Sequence, residues 1–190
     1  SFDSSQIAAA KKFLKNISPF PLDVSVASYY IKTSNISYEK YLEALTKKNS
    51  DLTTMQNDIL KESGDYTKTR YSIVTLSLQK IIESHKGFAD LLLFISLLDS
   101  QNIPKDLLNQ YKDQSTVDSF IYHLRKYSLI TNDTSASPLS HLSIHRSTQD
   151  ISFVYLTEFL KLKKDSQALK DMTNALDDYT DQAIEQEDFS

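Results

Sequence analysis

Only two glycines, Gly64 and Gly87, occur in 190 residues. Glycine is the residue that enters left-handed and closely approached backbone without steric cost, so a chain this poor in it makes few tight turns. With only four prolines as well, the sequence lacks the dense punctuation of an all-β sandwich or barrel. A phosphate-cradling loop, which needs several glycines for close backbone approach, cannot be built from this chain. Helix is the favoured state. An apolar fraction of 40% and a charged fraction of 24% are those of a folded domain rather than a disordered one.

Cysteine is absent, which excludes disulfides and thiolate chemistry. The longest apolar run, Leu91 to Leu98, is far too short to span a bilayer. The opening residues, Ser1 to Gln6, lack the basic-then-apolar signature of a secretory leader. They read as the boundary of a segment cut from a larger protein, and the expected setting is cytoplasmic. The net charge of −4 is unevenly spread, because residues 165–190 hold eight acids and one lysine. A mildly basic body with an acidic end does not describe a strong nucleic-acid binder.

Apolar spacing predicts a first helix over 4–16, carried by Ile7, Ala10, Phe13 and Leu14 and stopped by the prolines at 19 and 21. Pro21 can open a second helix, striped by Leu22, Val26, Tyr29 and Tyr30 and ending near Ser34-Asn35. Ser37 is the expected N-cap of a third, with Tyr38, Tyr41, Leu42 and Leu45 inward. Residues 46–65 are polar, finish at Gly64 and read as a connector. A long helix follows, striped by Tyr71, Val74, Leu78 and Ile81 or Ile82, with Gly87 as its terminator. Residues 88–98 are apolar on nearly every side and predict a central core helix. Pro104 opens a short helix through Tyr111, and Val117, Phe120, Ile121 and Leu124 stripe another that ends near Tyr127.

From Ser128 the period changes from 3.6 to 2. Segments 128–131 and 141–145 alternate, and the turn formers Asn132 to Pro138 lie between them, which predicts a β-hairpin with a long loop. Residues 147–162 are helical again, with Ile151, Val154, Tyr155 and Phe159 inward. The predicted fold is mainly α: a helical subdomain over 1–65, a winged-helix domain over 66–163, and a C-terminal acidic amphipathic helix over 164–190. The helix, helix, helix, hairpin, helix order of the winged helix runs through 88–162. The final stripe of Leu169, Met172, Leu176, Tyr179 and Ala183 either packs on the body or awaits another helix.

Tests for catalytic constellations fail. His141 and His145 share a strand face but stand about 13 Å apart at 3.3 Å per residue, too far to hold one metal. His85 and His123 have no histidine or acid three or four residues on and suit surface or capping roles. No Gly-x-Ser-x-Gly elbow exists, and acids such as Asp177 and Asp178 are adjacent, which on a helix turns them apart. A DNA-reading role for residues 115–127 meets an unfavourable N-terminal end, Ser115 to Asp118, where base contacts normally lie. His123, Arg125 and Lys126 near the other end are explained by the helix dipole. The chain is therefore read as a non-enzyme with no metal site.

Two landmarks carry a family resemblance. Pro19-Phe20-Pro21-Leu22, leading into a helix over Asp23 to Ile31, resembles the Gly-Leu-Pro-Leu-Ala motif of NB-ARC or STAND nucleotide-binding switch proteins. Leu142-Ser143-Ile144-His145-Arg146 resembles their Met-His-Asp motif at the end of the winged-helix subdomain. Asn102-Ile103-Pro104 and Leu124 to Ile130 are also similar to the family's winged helix, and the resemblance covers about residues 7–160.

The resemblance implies that Pro21 packs near the adenine of a bound nucleotide. It implies further that His145 donates to the β-phosphate of ADP, a hydrogen bond worth roughly 1.5–3 kcal/mol. Each residue keeps a plainer alternative, Pro21 as a helix starter and His145 as a cap for the helix that follows. Pro19 departs from the motif's glycine and Arg146 from its aspartate; of contacting phosphate or pairing with a neighbouring acid, the second is favoured for Arg146. The phosphate loop and magnesium-positioning strand of the family belong upstream of this segment. The implied cofactor, ADP or ATP, is thus a property of the full-length parent, and the implied partners are an upstream nucleotide-binding domain and downstream repeats of the same chain. The alternatives are a protein-interaction scaffold without nucleotide and, third, a DNA-binding winged helix.

Overall fold

The computed structural model describes residues 3–51, 65–131, 141–163 and 166–188. It is mainly helical, with a small antiparallel sheet. Packing divides the chain into two units, residues 1–80 with 126–129 and residues 81–125 with 130–190. The sequence reading set its first boundary at 65/66, whereas this division falls at 80/81, inside a helix.

In the first unit, α1 (Ser4–Asn16) begins at a capping box: Asp3 accepts from the Ser5 amide, and the Asp3 amide donates to Gln6 Oε1. Pro21 opens α2 (Pro21–Ser34), which ends where Asn35 turns left-handed at φ 49°. Ser37 caps α3 (Tyr38–Ser50) by accepting from the Lys40 amide at 3.3 Å. The connector expected over 46–65 is helical through Ser50 and again at Asp65, and residues 52–64 lie outside the described residues. The core is aromatic. Tyr41 meets Phe13 at 5.8 Å and Tyr30 at 5.4 Å between ring centroids, in the tilted and edge-on geometries that such rings prefer. Residues 126–129 return to α2: Tyr127 packs on Tyr30, and the Ser25 and Ser128 hydroxyls are 2.7 Å apart.

Helix α4 (Asp65–Ser84) is buried on all sides from Tyr71 to Leu78. The sequence suggests a stripe of Tyr71, Val74, Leu78 and Ile81 or Ile82, but Ser72, Thr75 and Ser77 are buried as well. These small hydroxyls sit inside: Thr75 donates back to the Tyr71 carbonyl at 2.8 Å, and Ser72 donates to Asn49 Oδ1. Gly87 does not end α4 through a left-handed turn, because its φ is −82°; it is instead the N-cap of the next helix.

The second unit carries α5 (Phe88–Leu97), β1 (Ile103–Pro104), α6 (Lys105–Tyr111), α7 (Gln114–Lys126), β2 (Ile130–Thr131), β3 (His141–Ile144), α8 (Arg146–Phe159) and α9 (Gln167–Asp188). The strands lie in the order β1-β3-β2, with Ile103 opposite Leu142 and Ile130 opposite Ile144. This is the winged-helix order of helices and hairpin. β1 was invisible to periodicity, since two residues hold no period. The first arm is shorter than 128–131 because Ser128 adopts φ 57° and leaves the extended region. The turn predicted over Asn132 to Pro138 lies outside the described residues. Among the described residues of a chain so short of glycine, Asn35, Asn102, Ser128 and Lys161 adopt left-handed backbone.

Helix α5 is the apolar core element the sequence suggested, with Phe88, Ala89 and Leu91 to Ile95 all buried. It packs on α8. The inward face of α8 differs from the predicted one: Ile151 and Leu156 are buried, but Phe159 is half exposed, and Thr148, Gln149 and Ser152 face inward instead. Gln149 explains this rotation, because its Nε2 donates to the carbonyls of Ile95 and Leu98 at 2.9 and 2.8 Å. Those carbonyls end a helix and have no partner within it. The last helix packs on the body: Met172 and Ala175 of α9 are buried, α9 lies against α6, and Gln110 donates to Gln182.

Candidate functional site

His145 follows the last residue of β3 and is the N-cap of α8, with φ −65° and ψ 131°. The strand therefore ends before it, and the same-face argument linking His145 to His141 does not apply. Its Nδ1 accepts from the Ser147 amide at 3.3 Å and lies 2.9 Å from the Ser147 hydroxyl. A nitrogen that accepts from an amide carries no proton, so the neutral imidazole holds its proton on Nε2. The side chain is exposed. The plainer alternative for this residue, a helix cap, is what the geometry displays, and it leaves one fixed N–H donor on an exposed ring.

Arg146 is the first residue of α8 and is exposed. Among the described residues it forms no ion pair, contrary to the favoured pairing with an acid. A cation at a helix N-terminus opposes the dipole and gains nothing from it. His145 Nε2–H and the Arg146 guanidinium thus stand at adjacent positions on one helix start, both suited to an anion.

In the first unit, Pro21 occupies the first position of α2, is exposed, and fills the helix-starting role open to it. Its neighbour Phe20 is nearly half exposed, and the Arg70 guanidinium lies 5.5 Å from the Phe20 ring centroid. Arg70 Nε in turn donates to Asp23 at 2.8 Å. The sequence reading missed Asp23 and Arg70. They are 47 residues apart, and no periodicity ties an acid near one helix start to a base on a distant helix. A half-exposed ring next in sequence to an exposed proline thus carries a guanidinium that is itself largely buried and paired with Asp23.

Among the described residues no three histidine, cysteine, aspartate or glutamate side chains gather as a metal site. None of their helices is long and apolar enough to cross a membrane. Burial raises the hydroxyls of Tyr41 and Tyr111 well above the ordinary tyrosine range, so neither is a ready proton donor or acceptor for chemistry. Compared with protein-family models, curated proteins and solved structures, the chain matches none of them.

Proposed function

We propose that this chain is the helical and winged-helix regulatory segment of a STAND-type switch, an intracellular protein whose state depends on bound ADP or ATP. The observation that carries this reading is the cap geometry of His145, whose Nδ1 accepts from the Ser147 amide. Capping locks Nδ1 as an acceptor and presents Nε2–H from the end of the wing, the donor that a phosphate oxygen requires. Arg146 beside it, without an acidic partner among the described residues, adds charge of the right sign. In this reading the adenine stacks on the half-exposed Phe20 ring next to Pro21. In this role the segment relays nucleotide state from an upstream nucleotide-binding domain to downstream repeats and performs no catalysis itself.

The scaffold reading is favoured by a different observation. In the first unit Ile7 and Leu14 are large apolar side chains left exposed along one groove, as where a surface meets other proteins. Calorimetric titration of ADP into the parent protein separates the two. Under the switch reading His145→Ala weakens ADP binding by roughly 10- to 150-fold, the equivalent of one charge-assisted hydrogen bond. Equal affinity in both forms rejects it.

A further inference from the structure

Helix α1 turns only part of its apolar surface inward. Phe13 and Ile17 are buried, but Ile7 and Leu14 remain 44% and 53% exposed. With Ala10 between them they form one stripe along a single side of the helix, at a spacing of three and then four. Gln6, Lys11 and Tyr38 complete an open groove of about 400 Å3 around it. The spacing is that of a coiled-coil seam. The small Ala10 between two larger side chains leaves a hole for a large side chain of a second helix.

The charge along this groove has one sign. Lys11 and Lys15, one turn apart and both exposed, run along one edge of the stripe. Neither forms an ion pair among the described residues. The acids near the lining residues are engaged elsewhere. Asp3, whose amide donates to Gln6, caps α1, and Glu39, beside Tyr38, lines a separate polar groove with Lys12. A second copy of α1 would set lysines against lysines, which disfavours a self-complementary contact.

We propose that this groove docks an amphipathic helix with an acidic edge, supplied by a protein partner. The apolar residues of that helix seat between Ile7 and Leu14, with one large side chain over Ala10, and its acids lie beside Lys11 and Lys15. The stripe spans two helical turns, about 10 Å, so few large side chains are buried on each side. The contact is therefore transient, with a dissociation constant on the order of 10–100 μM. Its ionic edge makes it sensitive to salt. Docking here is independent of nucleotide at His145.

Fluorescence anisotropy with two labelled helical peptides of about 18 residues tests this. Both carry leucine at the seam positions, flanked by glutamate in one and by lysine in the other. At about 50 mM salt the glutamate peptide binds the chain with the affinity given above, and the lysine peptide binds at least about tenfold more weakly. Lys11→Glu with Lys15→Glu reverses that preference. Leu14→Asp weakens binding of the glutamate peptide at least about tenfold, and Ala10→Leu, which fills the hole, weakens it about threefold or more. The altered side chains are exposed or half-buried, so the circular dichroism of each variant matches that of the unaltered chain. No binding of the glutamate peptide up to about 1 mM overturns the proposal. So does equal binding of both peptides, or a preference that the lysine reversals leave unchanged. A dimer in sedimentation that Leu14→Asp dissociates also overturns it, because the groove then belongs to a second copy.

Discussion

Arg70 Nε donates to Asp23 Oδ1 at 2.8 Å, and the carboxylate it meets is wholly removed from solvent. The second oxygen, Oδ2, has no hydrogen-bond partner among the described residues. A buried ion pair with one lone acceptor sits near the balance between Coulomb gain and desolvation cost. Breaking it from one side is another matter. Arg70→Met strands a buried carboxylate and should cost about 3–5 kcal/mol. Asp23→Leu with Arg70→Met should cost clearly less than Arg70→Met alone. Urea denaturation of these two variants and of Asp23→Leu alone reads this directly, and additive losses would show that the two side chains act independently.

Gln149 joins the start of α8 to the end of α5 through two carbonyls. Replacing it with leucine keeps the volume but leaves both acceptors buried and unpaired, at about 1–3 kcal/mol for each. We expect a loss of about 2–4 kcal/mol in thermal or denaturant unfolding. A change below about 0.5 kcal/mol would mean that water replaces the amide at both sites.

Helix α7 starts at Asp113, which accepts from the Thr116 amide at 3.0 Å and from its hydroxyl at 2.6 Å. The Thr116 hydroxyl, then its amide, hold the Asp113 carboxyl below its ordinary value of 3.8. A carboxyl depressed in the folded state contributes stability above its unfolded value and loses that contribution as the pH falls through the folded one. The Thr116 amide resonance should therefore titrate with a midpoint below 3.8. A midpoint at or above that value would show that the cap does not form in solution.

The winged-helix order raises the question of duplex DNA. The exposed start of α7 carries Asp113 and Asp118, and Asp118 is paired with Lys105. Acids there repel phosphates at the end of the helix where groove contacts are made. No binding to a mixed-sequence duplex is expected even at about 20 mM salt, where phosphate contacts are strongest. Binding that weakens steeply with added salt would return the nucleic-acid reading to first place.

How much was legible in the sequence differs by element. The start of α2 was plain because a proline fixes its own backbone and needs no donor. The end of α1 followed from the prolines behind it, whereas the capping box at Asp3 that starts it was not read. Burial of Ser72, Thr75 and Ser77 was not legible, because a hydroxyl that bonds its own helix looks polar in a sequence and apolar to its neighbours. Sheet partners across long separations, such as Ile103 with Leu142, leave no local signal. The strand expected over 141–145 stops at Ile144, and the capping of α8 by His145, one of the two roles open to it, depends on dihedrals that residue identity alone does not give. The Asp23–Arg70 pair was hidden for the same reason that any long-range ion pair is.

The central claim is that His145 offers a fixed Nε2–H to a nucleotide phosphate. Nitrogen-15 spectra of histidine-labelled parent protein, which distinguish the two neutral tautomers, test it directly. The account predicts the Nε2–H tautomer for His145 in the free protein and a marked shift of that proton on addition of ADP, with His85 and His123 unmoved. A His145 resonance that stays in place while ADP saturates the protein would contradict it.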